Sequence, residues 1–211
     1  MVGSVRALTW DFGGVLFRTE DEAPRQRWER KLNLQAGELH DLVFYGKTSR
    51  LATMGKASTE DIWRTVGEQL ELTFEDLNAL RADFWAGDRL DQGFVEATRT
   101  LRKHLKTALL SNAWPDMRSY LVEDLQIDDA FDLVVISAEE GTAKPGEQIY
   151  RILLDRLSIR AEECIFIDDS PENIHAANEL GIKTVLYQGR EQTLHDLRSL
   201  LPSGLSKLLP S

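Results

Sequence analysis

Apolar residues fall along this chain in two rhythms. Five short stretches, Val5–Trp10, Lys106–Leu110, Leu133–Ser137, Cys164–Ile167 and Lys183–Tyr187, carry little polar interruption. Runs of that length and content read as parallel strands buried on both faces. The last four are separated by helical spacing at Gln92–Lys103, Pro115–Asp124, Glu147–Leu157 and Pro171–Leu180. Ser170 caps the last of these helices, Pro171 occupies its first turn and Gly181 ends it. Short strands alternating with helices predict a parallel sheet with right-handed crossovers. Between the first strand and the second, from Asp21 to Arg89, only the helical rhythm is present. Pro24 opens a turn followed by Trp28 and Leu32, and Gly37–Tyr45 carries Leu39, Leu42 and Val43 on one face. Ser58 or Thr59 caps a stripe of Ile62, Trp63, Val66 and Leu70; Thr73, with Asp76 in the acidic first turn, precedes Leu77, Leu80 and Phe84. The pattern thus predicts an α/β fold with an inserted all-helical segment. The core is residues 1–17 and 90–211, and the insertion is residues 18–89. The Ser/Pro/Leu-rich tail from Pro202 has no pattern that fixes its structure.

Composition narrows the partners. Hydrophobic residues make up 42% and charged residues 28% of 211, ordinary values for a globular protein. A net charge of -10 argues against general binding to nucleic acid or anionic membranes, but a metal ion and local donors can still hold an anionic substrate. The absence of a long apolar run or signal-peptide pattern leads to the expectation of a cytoplasmic protein. The single cysteine, Cys164, lies in an apolar run and reads as a buried, inert thiol.

Candidate chemistry sits at the strand ends. The first strand stops at Asp11, and Gly13 and Gly14 follow, where the backbone can turn sharply. Ser111 and the pair Asp168-Asp169 stand at or just after the ends of later strands, and Lys144 in a loop that follows one. Taken singly, the serine is a helix cap, the lysine a surface charge and the aspartates turn residues. Together they belong on one edge, because an open α/β sheet binds ligands beyond the carboxyl ends of its strands.

Four stretches in this order resemble the motifs of the haloacid dehalogenase superfamily of aspartate-nucleophile hydrolases. They are Asp11-Phe12-Gly13-Gly14-Val15, Leu109-Leu110-Ser111-Asn112, Lys144-Pro145 and Phe166-Ile167-Asp168-Asp169-Ser170. The chain looks most like the branch with sugar-phosphate phosphatases and the phosphatase domain of soluble epoxide hydrolase. The resemblance implies a Rossmann-like five-stranded parallel sheet with a helical cap that selects the substrate. It implies a phosphatase acting on a small phosphorylated metabolite, with Asp11 forming an aspartyl-phosphate. Mg²⁺ would be held by Asp11, Asp169 and the Gly13 carbonyl, with Asp168 acting through water or from behind the ligands. Lys144 would neutralise nucleophile and phosphate. The Ser111 hydroxyl and Asn112 N–H would bind phosphate oxygens close to the start of the next helix.

One position departs from the family pattern. Most phosphatases of this superfamily carry an aspartate two residues after the nucleophile as general acid and base; here the residue is Gly13. Such help is worth about 10²–10⁴-fold, so leaving groups of low pKa would suffer least. Glu20 and Asp21 are candidate substitutes. Gly13 also favours an alternative, a non-catalytic binding or regulatory protein. A metal-independent dehalogenase is a further alternative, supported by Tyr150 six residues after Lys144 and opposed by Asp168-Asp169. Trp28, Tyr45 and Trp63 either roof the site or fill the core of the insertion.

Overall fold

The computed structural model describes residues 4–210. In chain order the elements are β1 (Ala7–Trp10), β2 (Phe17–Thr19), α1 (Ala23–Lys31), α2 (Glu38–Tyr45), α3 (Lys47–Thr53), α4 (Thr59–Gln69), α5 (Phe74–Trp85) and β3 (Asp88–Leu90). There follow α6 (Gln92–Leu101), β4 (Lys106–Ser111), α7 (Met117–Ser119), β5 (Leu133–Ile136), α8 (Ser137–Glu140) and α9 (Glu147–Leu157). The chain closes with β6 (Cys164–Asp168), α10 (Pro171–Glu179), β7 (Lys183–Leu186), α11 (Arg190–Leu200) and α12 (Ser203–Ser206).

Five strands form one parallel sheet in the order β5-β4-β1-β6-β7, as the alternating pattern predicts. β1 is central, so the residue that follows it emerges in the middle of the carboxyl edge. Alternation along each strand splits the apolar side chains between the two faces. Leu8, Trp10, Leu109, Ile165 and Ile167 pack with Phe94 of α6 and Leu194 and Leu197 of α11. Ala7, Ala108, Leu110, Val135 and Phe166 pack with Ile149, Tyr150 and Leu153 of α9 and Ala177 of α10. Cys164 lies in this second layer, where burial pushes its thiol up to about 11.

Helices α1–α5 bury a cluster of their own, built on Trp28, Leu39, Val43, Ile62, Trp63, Val66, Leu80 and Phe84. Their starts follow the expected chemistry. Pro24 sits in the first turn of α1, Ser58 and Asp61 form a capping box on α4, and Thr73 accepts from the Asp76 N–H on α5. Two short strands were not foreseen. β2 and β3 pair antiparallel, Thr19 opposite Asp88, so the chain enters and leaves the helical segment through a two-stranded ribbon. Nor were α3, α8 and α11. Among the described residues no helix is long and apolar enough to cross a membrane.

Candidate active site

Asp11 is the first residue beyond β1, and its N–H donates to the Ile167 carbonyl of β6 at 2.8 Å. Since Trp10 pairs with Ile167 on one side and Leu109 on the other, Asp168 ends up level with Asp11, and Ser111 lies one step further along β4. Lys144 comes from the loop between α8 and α9, and its ammonium lies 2.7 Å from an oxygen of Asp11 and 2.7 Å from one of Asp168. Asp11, Ser111, Lys144 and Asp168 are all buried, whereas Asp169 is exposed at the rim. Thus four residues scattered between positions 11 and 168 meet at one sheet edge, and the lysine joins two of the acids directly.

Asp168 has no free valence. Its Oδ1 accepts from the Ser170 N–H at 2.8 Å and from Asn173 Nδ2 at 3.0 Å; its Oδ2 accepts from Lys144 Nζ at 2.7 Å and from the same amide at 3.1 Å. Asn173 is in turn held by the Tyr150 hydroxyl, which donates to its carbonyl at 2.9 Å. Asn112 serves Lys144 from the other side. Its Nδ2 donates to the Lys144 carbonyl at 2.8 Å and its Oδ1 accepts from the Lys144 N–H at 2.9 Å. The Ser137 hydroxyl accepts from the Ala113 N–H at 3.0 Å and sits 3.2 Å from the Ala113 carbonyl. The segment after β4 is therefore clamped along its length before any ligand arrives. The next helical stretch starts at Met117, five residues past Asn112, and continues as a π-helical turn over Tyr120–Asp124.

Charge balance shapes the site. Burial, reinforced by the neighbouring Asp168, outweighs the ammonium of Lys144 and pushes the Asp11 carboxyl up to about 7. Burial pulls Lys144 down, but the two carboxylates more than offset it and hold the ammonium above its ordinary range. Asp11, Asp168 and Asp169 each bring an oxygen within 4.8 Å of the others. With all three carboxylates ionised, one ammonium leaves two negative charges uncompensated, and the donor set is all oxygen, a combination that fits a hard divalent cation. Gly14 makes the packing possible: it sits at φ +79°, and a Cβ there would stand 2.0 Å from an Asp169 oxygen. Gly13 is different. A Cβ at that position would meet no atom within 4 Å.

Other expected contributors are otherwise employed. Asp21 accepts from the Ala23 N–H at 2.9 Å at the start of α1, and the exposed Glu20 carboxylate lies 4.0 Å from Arg18. Trp28 and Trp63 belong to the interior of the helical segment, and Tyr45 is 61% exposed. The aromatic that reaches across is Trp114, just past the clamped Asn112-Ala113 pair. It stacks on Phe44 of α2 at 5.5 Å and meets Trp85 of α5 edge-on at 6.2 Å. The sequence offered two signals for the missed residues: a tryptophan directly after Ser111-Asn112-Ala113, and an asparagine in the first turn of the helix that Asp168 precedes.

A parallel sheet with an aspartate just past its central strand, and a lysine and paired acids at the same carboxyl edge, is the frame of this site. The chain belongs to the haloacid dehalogenase-like hydrolase family, whose family model matches residues 5–181. It is 38% identical over 99% of its length to acyl-CoA dehydrogenase family member 10 of Mus musculus and 26% identical over 93% to bifunctional epoxide hydrolase 2 of Sus scrofa. It spans only 20% and 39% of those proteins. D-ribitol-5-phosphate phosphatase of Bacteroides thetaiotaomicron is 26% identical over 85% of this chain and 90% of its own. Among solved structures, a magnesium complex of a haloacid dehalogenase family enzyme from Bacteroides thetaiotaomicron superposes with a TM-score of 0.76 at 22% identity, covering 93% of this chain and all of that one.

Proposed function

We propose that this hydrolase is a Mg²⁺-dependent phosphatase of small phosphorylated metabolites that works through an aspartyl-phosphate on Asp11. The observation that carries the reading is the ammonium of Lys144 set 2.7 Å from both Asp11 and Asp168, with Asp169 completing the oxygen cluster. In this reading Asp11, Asp169 and the Gly13 carbonyl hold the cation, and Asp168 stays behind them as the partner of Lys144. Bound Mg²⁺ would supply the positive charge that lets a carboxylate and a phosphate dianion approach each other. Asp11 attacks phosphorus in line, and Lys144 offsets charge on the nucleophile and on the phosphoryl oxygens. The Ser111 hydroxyl and the Asn112 N–H bind those oxygens. Residues 1–17 and 90–211 act as the catalytic core, and 18–89 as a cap that selects the leaving group. Phosphatase names among the relatives support the reaction class.

Gly13 is the feature that favours the second reading, a protein that binds phosphorylated ligands without turning them over. Tyr150 gives no support to the dehalogenase alternative, because its hydroxyl is taken by the Asn173 carbonyl. Mg²⁺-dependent release of phosphate from a panel of phosphate esters decides between turnover and binding. Asp11→Asn then tests the nucleophile, since the amide keeps the shape and loses the attacking charge. Turnover should vanish while the fold persists. A well-folded Asp11→Asn protein hydrolysing esters at the parent rate refutes the aspartyl-phosphate.

A further inference from the structure

Three carboxylates lie within reach of one cation, yet one of them is fully engaged elsewhere. Asp168 is as close to Asp11 and Asp169 as they are to each other on the 4.8 Å scale of the cluster, so distance does not keep it off a metal. Its four hydrogen bonds do, and the side-chain amide of Asn173 makes two of them, one to each oxygen. That bifurcated contact spans the carboxylate and fixes its rotation. The other two donors, the Ser170 N–H and the Lys144 ammonium, each hold one oxygen. Asn173 is itself buried, and the fully buried Tyr150 ties down its backbone from α9.

We propose that Asn173 is a positioning residue that sets the metal preference of the site by reserving Asp168 for Lys144. With Asn173 in place the cation meets two carboxylates and keeps several waters, which suits Mg²⁺. Without it, Asp168 can turn toward the metal as a third carboxylate. The site then gains charge and ligand number, which favours the larger, more accommodating Ca²⁺. Lys144 is left with Asp11 alone and draws down the nucleophile's charge. Metal binding and turnover therefore move in opposite directions. A residue that merely supported the fold would weaken both.

The inference rests on the reading that Asp11 and Asp169 hold a divalent cation, and calorimetry on the parent chain separates the two. A parent chain that binds neither Mg²⁺ nor Ca²⁺ removes that reading. Given a parent that binds, Asn173→Ala should bind Ca²⁺ more tightly by about tenfold or more, because a third carboxylate joins the site, and kcat on p-nitrophenyl phosphate should fall about 10–100-fold with KM little changed. Asn173→His, whose ring N–H can replace the amide donor, should return Ca²⁺ affinity and kcat toward parent values. Tyr150→Phe keeps every donor to Asp168 but frees the Asn173 backbone, so it should shift Ca²⁺ affinity in the same direction by less. Folded Asn173→Ala with parent Ca²⁺ affinity, or with weaker binding, overturns the proposal. If that variant does not fold, parent Ca²⁺ affinity in Tyr150→Phe overturns it instead.

Discussion

At Asp11 the decisive quantity is a proton. Because burial raises its carboxyl to about 7 in the metal-free fold, the folded chain holds a proton that the unfolded chain has lost above its ordinary value of 3.8. From this group alone, the stability of metal-free protein falls as pH rises from 3.8 to about 7, and the loss is complete above that. Cation binding must expel the same proton. Apparent Mg²⁺ affinity should therefore rise up to about tenfold per pH unit below 7 and level off above it, which calorimetry at stepped pH will read. The neighbouring glycines separate cleanly. Gly13→Asp enters open space at a residue without positive φ, so it should fold and raise turnover of alkyl phosphates more than of p-nitrophenyl phosphate. Gly14→Ala should fold poorly or lose Mg²⁺ binding, since its Cβ and Asp169 claim one place. Asp11, Asp168 and Asp169 were legible because each is an acid at the end of an apolar run, whereas Lys144, in a loop, was legible only through the order of the motifs around it. Asn173 was not, because an asparagine in a first helical turn is ordinary and its meaning lies in where Asp168 sits. The left-handed backbone was equally hidden: two adjacent glycines look alike until Gly14 alone has positive φ.

Elements with strong caps and regular stripes, such as α4, α5 and α10, could be read to within a residue or two. Those missed lacked the same signals. α11 starts after Gly189 with no side-chain cap, and its buried face is only Thr193, Leu194 and Leu197. β2 and β3 have three residues each, too few to establish a period. What fixes the ribbon is a charged junction rather than a pattern. Asp91, immediately after β3, accepts from the Phe94 N–H at 3.0 Å to cap α6, from Arg18 of β2 at 3.2 Å, and from Arg190 of α11. Burial pulls the Asp91 carboxyl up, but these donors outweigh it and hold it below 3.8, so its stabilising contribution is full above that pH and fades in more acidic solution. Asp91→Ala removes a cap and leaves two arginines without a partner. It should cost at least about 2 kcal/mol in urea unfolding at pH 7, with a smaller deficit at pH 3.

Across the whole molecule, the helical segment and the sheet touch through few but specific contacts. Trp114 stacks on Phe44, Thr59 of α4 donates to Asp116 at 2.6 Å, and Gly55 approaches Ala138 so closely that a Cβ would fall 2.2 Å from its carbonyl oxygen. Trp114→Ala should raise KM for p-nitrophenyl phosphate about three- to tenfold, the equivalent of roughly 0.5–1.5 kcal/mol of lost aromatic contact, while inhibition by free phosphate stays unchanged. The sequence could announce an insertion but not its docking, because contacts between distant segments leave no local periodicity. The ribbon also makes the chain editable. Thr19 faces Asp88 across an antiparallel pair, so residues 20–87 begin and end side by side. A two-residue Asn-Gly turn could join those strands into an ordinary hairpin, and any segment with adjacent ends could be grafted there without rethreading the sheet. Descent with modification has the same freedom: lengthening, trimming or exchanging what hangs from Thr19 and Asp88 leaves untouched the strand order that presents Asp11.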